Sequence, residues 1–184
     1  MENSSYTRKK EPELSKQLII DAAIHIGSES DWHHVTFQSI ADWTGLSKGG
    51  IIHHFRNKEE LLDELVNQSL INLTDKVKKY RDQNVDKDGA FAYLKFILEK
   101  KNDEKYAKTM RIILQAIMIN SKYRLQWEDW YNLHILPTDG EELSIHSTIV
   151  FLVADAIWYS ENMGSIHLTE KDKPKVLNFL QQLK

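Results

Sequence analysis

What most constrains the fold of this chain is a helical period repeated along nearly its whole length. Apolar side chains recur every third or fourth residue in Leu14, Leu18, Ala22 and Ile26, and again in Leu62, Leu65, Leu73, Val77 and Tyr80. The same spacing returns in Phe91, Leu94, Ile97 and Leu98, then in Tyr106, Met110, Ile113, Leu114, Ile117 and Met118. Trp127, Trp130, Tyr131 and His134 continue it, and Val176, Leu177, Leu180 and Leu183 close it. A helix turns once in about 3.6 residues, so each stretch presents one apolar face. The three prolines and seven glycines fall between these stretches, with Gly27 placed where the first helix should fray. The segment Ile149-Val-Phe-Leu-Val-Ala154, followed by Ala156, Ile157, Trp158 and Tyr159, is apolar all round a helix and should be buried on more than one face. Its β-branched residues would suit a strand, but no partner strand is visible, and Gly164 should stop the helix. The expectation is an all-α chain of about nine helices and no strands.

At 184 residues the chain can bury a core without external staples. It has no cysteine, which excludes disulfides, thiolate metal sites and cysteine nucleophiles and fits a reducing compartment. The opening MENSSYTRKK has no apolar signal segment, and no run of apolar residues is long enough to span a bilayer, so a soluble, cytoplasmic chain is expected. The 24 basic and 27 acidic residues leave a net charge of −3, so binding to nucleic acid would need a local patch. No metal or cofactor is expected, and the paired histidines His33 and His34 read as solvated. Catalysis finds little support: His134 or His146 with Asp155 is the best constellation available, so the chain reads as no enzyme.

Local signals organise the first third. Residues 1–12 read as a flexible arm ending at Pro12. Thr36 suits the N-cap of a short helix through Ile40 and Ala41, and Gly45 suits its left-handed end. Ser47 then opens a second short helix through Ile51, Ile52 and Phe55, and a long helix starts at Lys58. Two short helices joined by a Gly-containing turn and packed on a longer one form a helix-turn-helix outline. Ile40, Ala41, Leu46, Ile51 and Phe55 read as its core.

The run from Thr36 to Leu62, TFQSIADWTGLSKGGIIHHFRNKEELL, resembles the DNA-binding signature of the TetR family of transcriptional regulators. It carries the Thr cap, the Ile-Ala pair, the Gly turn, the Ser-Lys-Gly-Gly start, the aromatic Phe55 and the Lys-Glu-x-Leu entry to the fourth helix. The family usually has a tyrosine where this chain has Ile52 or His53, and His53 is the natural substitute. The resemblance implies a helix-turn-helix domain over 13–57 and an effector-binding and dimerisation domain over 58–184. It also implies an operator-binding repressor released by a small molecule. The rival expectation is a small helical ligand-binding protein or enzyme whose helical triplet does not bind DNA.

The residues themselves support DNA contact. No carboxylate lies between Trp43 and Lys58, whereas Lys48, Arg56 and Lys58 are cationic. Helix starts at Thr36, Ser47 and Lys58 offer backbone N–H groups to phosphates, with Lys48 and Lys58 in those first turns. Gly49 and Gly50 each cost a helix roughly 1 kcal/mol against Ala, which close approach to a duplex would justify. Ile52 suits thymine methyls and His53 a phosphate or a base edge. The basic cluster Arg8-Lys9-Lys10 reads as a solvated tail, or as a minor-groove arm.

Beyond Lys58 the charge changes character. From Leu125 to Glu170 there is no Lys or Arg but there are eight carboxylates, together with Trp127, Trp130, Tyr131, Trp158 and Tyr159. Aromatic faces beside carboxylates suit a hydrophobic, neutral or cationic small molecule, although the aromatics can equally fill a core. The expected pocket wall is Met110, Leu114 and Ile117 on one helix and Trp127, Trp130, Tyr131 and His134 on the next. The last two helices have more apolar face than one small domain covers, which predicts a homodimer through Ile149, Phe151, Val153, Ile157, Leu177 and Leu180.

Overall fold

The computed structural model describes residues 4–82, 89–99, 104–136 and 142–183, with side chains from residue 12 onward. Among the described residues there are nine α-helices, one 3-10 turn and no strand. Pro137, Gly140, Asp86, Asp88, Asp139, Glu141 and the side chains of the Arg8-Lys9-Lys10 cluster lie outside them. The chain divides into two compact units, residues 1–68 with 108–115, and residues 69–107 with 116–184. The sequence border at residue 57/58 therefore falls inside the first unit.

The first unit begins with α1, Ser4–Glu29, which runs back through the segment read as an arm and contains Pro12. A proline removes a single amide donor, and the residues after it are good helix formers. The buried face of α1 is Ile19, Ile20, Ala22, Ala23 and Ile24, whereas Leu14 is 66% exposed. Steps of four drift about 40° per turn on a 3.6-residue helix, so the Leu14–Ile26 row slides off the buried face. Gly27 lies inside α1 and is buried: a Cβ there would stand 3.1 Å from both Ile112 Cδ1 and Val35 Cγ2. It permits close packing of Ile112 and Val35 and does not mark a frayed end.

After the 3-10 turn Trp32–His34 come α2, Phe37–Thr44, α3, Lys48–His54, and α4, Lys58–Asp82. Each junction is held by a side chain. The Asp31 carboxylate accepts from the amides of His33 at 2.7 Å and His34 at 3.2 Å. Thr36 and Ser39 cap α2 reciprocally, at 3.0 and 2.9 Å, and Gly45 ends it at φ 73°. Ser47 Oγ accepts from the Gly50 amide at 3.1 Å. Asn57 accepts from the Glu60 amide at 2.8 Å while Glu60 accepts from the Arg56 amide at 2.7 Å, closing α4's first turn. Beneath them Ile40, Ile51 and Phe55 join Trp32, Val35, Leu61 and Leu65 in the core, and Lys16 pairs with Glu64 at 2.8 Å. Ala41 and Leu46, read as core, are only partly covered.

The second unit holds the rest of α4 with α5, Ala90–Glu99, the two ends of α6, Glu104–Ile119, and α7, Ser121–His134. Helices α8, Ile145–Met163, and α9, Lys173–Gln182, complete it, both packing on α5. Gly164 ends α8 at φ 73°, as the sequence leads one to expect. Polar bonds tie these helices internally. The Trp130 indole donates to Thr74 Oγ1 at 2.8 Å, the Trp158 indole to Tyr106 Oη at 3.1 Å, and the Tyr93 hydroxyl to Asp155 Oδ1 at 2.8 Å.

Candidate functional site

On α3 the caps fix which side chains face outward. Ile51 is buried, so a turn of about 100° per residue swings Lys48, Ile52 and His53 to the surface. Lys48 and His53 are exposed, and Ile52 beside them is 45% exposed. A Cβ on Gly49 would meet nothing within 4 Å, and one on Gly50 only the Ser47 hydroxyl at 3.3 Å. The outward face of α3 is therefore flat, cationic or neutral, and free of carboxylates. Thr36 and Ser47, also exposed, stand at the starts of α2 and α3, their hydroxyls engaged in capping.

Lys58 differs from its expected role. Its ammonium turns inward, donating to the Trp32 carbonyl and, at 3.4 Å, to the His33 carbonyl, and it lies 5.1 Å from the centre of the Trp32 ring. Burial lowers its pKa, an effect the Asp31 charge opposes. An ammonium that closes the open carbonyl end of the 3-10 turn is not presented to a phosphate. Arg56, by contrast, stands out at 88% exposure, with Glu60 4.0 Å away. The sequence signal for Lys58 was the Lys-Glu-x-Leu entry to the fourth helix, which places its stem at the start of α4 without indicating where the stem points.

The residues of the expected effector wall are divided between the two units. Met110 and Leu114 are buried in the first unit, whereas Ile117, Trp127, Trp130, Tyr131 and His134 belong to the second. There the aromatics pack on one another: Trp127 stacks on Trp158 at 5.2 Å, Trp130 lies 5.5 Å from Trp127 and 5.7 Å from His134, and Tyr131 sits edge-on to Tyr93 at 5.8 Å. Asp155 lies half-buried at this cluster. Burial raises its pKa against the lowering effect of the Tyr93 bond, and burial followed by the Asp155 charge raises Tyr93. Of the cluster, His134 also faces open space. With Thr74, Val77, Lys78, Arg81 and Asp82 it lines a cavity of about 390 Å³. Arg81 is steered there by a 2.9 Å bond to the His134 carbonyl, and Thr74 by the Trp130 indole. Of the residues named for a catalytic alternative, His146 bonds to the Leu180 carbonyl at 2.7 Å and Asp155 accepts from the Tyr93 hydroxyl at 2.8 Å.

The apolar surface of α8 is real but displaced from the expected residues. Phe151 and Leu180 are 5% and 3% exposed and belong to the chain's own core, and Val153, Ile157 and Leu177 are half-covered. The open row is Ile145, Ile149, Leu152, Ala156, Tyr159 and Met163, at alternating steps of four and three, with Phe179 of α9 also exposed. An all-apolar segment does not reveal which side the chain itself covers. Only Ile149 was on the expected list.

Residues 19–65 match the family model for bacterial regulatory proteins of the tetR family, and residues 90–184 match the tetracyclin repressor-like C-terminal domain. The chain is 32% identical over 94 residues to the biofilm operon icaADBC HTH-type negative transcriptional regulator IcaR of Staphylococcus epidermidis, an alignment that spans half of each protein. Its fold is similar to that of a TetR-family member from Streptomyces coelicolor A3, with a TM-score of 0.63 at 16% identity over 90% of this chain and 97% of that one. It is also similar to NalD, the secondary repressor of the MexAB-OprM multidrug efflux pump in Pseudomonas aeruginosa, with a TM-score of 0.61 at 16% identity over 92% and 95%.

Proposed function

We propose, from the premise that this chain belongs to the tetR family of bacterial regulatory proteins, that it is a cytoplasmic, homodimeric, ligand-responsive repressor that reads a palindromic operator through α3. The observation that carries this reading is the outward face of α3, where Lys48, Ile52 and His53 are exposed together on a helix start that bears no carboxylate. Lys48 contacts a phosphate, Gly49 and Gly50 let the helix backbone approach the duplex, and Ile52 and His53 meet the groove. Thr36 and Ser47 aim the two short helices. Two copies are required, because one short helix spans too few base pairs for a specific site. The apolar row of α8 with Phe179 is the surface that a second copy covers, which supports the dimer. Negative regulation follows the relative named for it, IcaR.

The effector belongs to the second unit, in the cavity lined by Val77, Lys78, Arg81 and His134. Among the described residues its rim carries Lys78 and Arg81 against one carboxylate, Asp82, and the indoles and phenol expected to line a pocket pack on other aromatic rings. The cavity thus favours a small molecule with an acidic group and an apolar body, the reverse of the charge inferred from composition. Tryptophan fluorescence titrated with lipophilic cations, neutral aromatics and acyl carboxylates tests this: the carboxylates should respond, and a response to cations alone would restore the earlier expectation. A gel shift on the chain's own upstream region at two salt concentrations tests the regulator itself. Binding that is sequence-selective and weakens with salt supports it, and no selective binding contradicts it.

A further inference from the structure

One stripe of α6 meets the joint between α1 and α2. Lys108 pairs with Glu29 at 3.1 Å, Ile112 packs against Gly27 and Val35, and Gln115 Oε1 accepts the Trp32 amide at 2.9 Å. Steps of four and three put these three side chains on one face of the helix. The Trp32 residue is thereby held at both of its backbone polar groups: α6 takes its amide through Gln115, and α4 takes its carbonyl through Lys58. Trp32 is buried, so an amide left without Gln115 would lack a ready partner in water. The segment that follows leads directly through Val35, also buried, to the Thr36 cap that starts α2.

We propose that Gln115 is a positioning residue for DNA reading. By fixing the Trp32 amide it fixes the 3-10 turn from which α2, the Gly45 turn and α3 follow, and so sets the fraction of chains whose α3 is correctly aimed. This rests on the operator-binding function proposed above. Apparent affinity scales with that fraction, so Gln115 acts on operator affinity without touching DNA. The residues of α6 on either side of this stripe, 104–107 and 116–119, belong to the second unit.

The test uses the full chain and a duplex selected by the wild type from random sequence. Gln115→Met keeps volume and helix propensity but removes the acceptor. It should weaken binding to that duplex roughly five- to tenfold, leave the salt dependence unchanged and speed hydrogen exchange at the Trp32 amide. A role in stability alone would speed exchange while leaving duplex affinity intact, and that result overturns the proposal, as does unchanged exchange. Should the variant not fold, exchange at Trp32 in the wild type decides: slower exchange in the bound chain supports the proposal, and equal exchange with and without duplex overturns it. A wild type that selects no sequence defeats the operator-binding function itself, a separate outcome.

Discussion

The two units differ in what their polar side chains hold in place. In the first, beside the helix-to-helix pairs of Lys16 with Glu64 and Lys108 with Glu29, they sit chiefly at helix ends: Asp31, Thr36, Ser47, Asn57 and Lys58 each close a junction between short elements. In the second they sit between helices, where Trp130, Trp158, Tyr93 and His146 fasten one helix to another. Short helices gain little from packing, so their caps decide where they start and how they point. Long helices are held by buried area, and polar bonds inside that area select one arrangement among many similar ones. The surfaces differ accordingly. The first unit presents a polar, carboxylate-free face suited to a nucleic acid, and the second presents an apolar row suited to another protein chain.

Substitutions at neighbouring positions separate these roles. The largest effect should come from Phe151→Glu, which buries an unpaired carboxylate in the core and costs more than about 3 kcal/mol, read as loss of cooperative melting. The next residue should behave differently: Leu152, 64% exposed, replaced by Glu should leave the helix content intact, turn dimer into monomer by light scattering and abolish selective DNA binding. A folded Phe151→Glu dimer would show that the face has been assigned to the wrong side of α8.

A second pair sharpens the first unit. Lys58→Met should cost roughly 1–3 kcal/mol of stability in chemical denaturation and leave the salt slope of DNA binding unchanged, because its ammonium holds carbonyls. Lys48→Ala should do the opposite, flattening the salt slope by about one phosphate at constant stability. Gly49→Ala should stabilise the free chain by up to about 1 kcal/mol, since its Cβ meets nothing, yet weaken operator binding. A gain in both would mean that the backbone does not approach the duplex there.

The smallest effect concerns pH. Burial raises Asp155 above its ordinary range, so between that range and its raised value the folded chain holds a proton that the unfolded chain has lost. Stability from this group is therefore present at low pH and lost as pH rises through that window. Asp155→Asn should raise the melting temperature at neutral pH and make no difference below about pH 4. A variant less stable at neutral pH would show that the ionised carboxylate is required.

What was legible in the sequence follows from range. Thr36, Gly45, Ser47 and Gly164 act on backbone within four residues, so residue type and spacing located them, and the buried row of α4 was equally plain. The destination of the Lys58 stem depends on a turn 26 residues away, and the burial of Gly27 on a helix more than eighty residues on. Neither distance leaves a periodic trace. The choice between Phe151 and Leu152 depends on which flank of an all-apolar helix meets α5, and hydrophobicity is equal on both.

The most direct measurement of the central claim is fluorescence anisotropy of wild type and Lys48→Ala on a selected duplex, at two salt concentrations. Selective binding by the wild type, with a salt slope reduced in the variant by about one charge per subunit, is the predicted result. Equal affinity and equal slope for both proteins on every duplex offered would contradict a reading head built on α3.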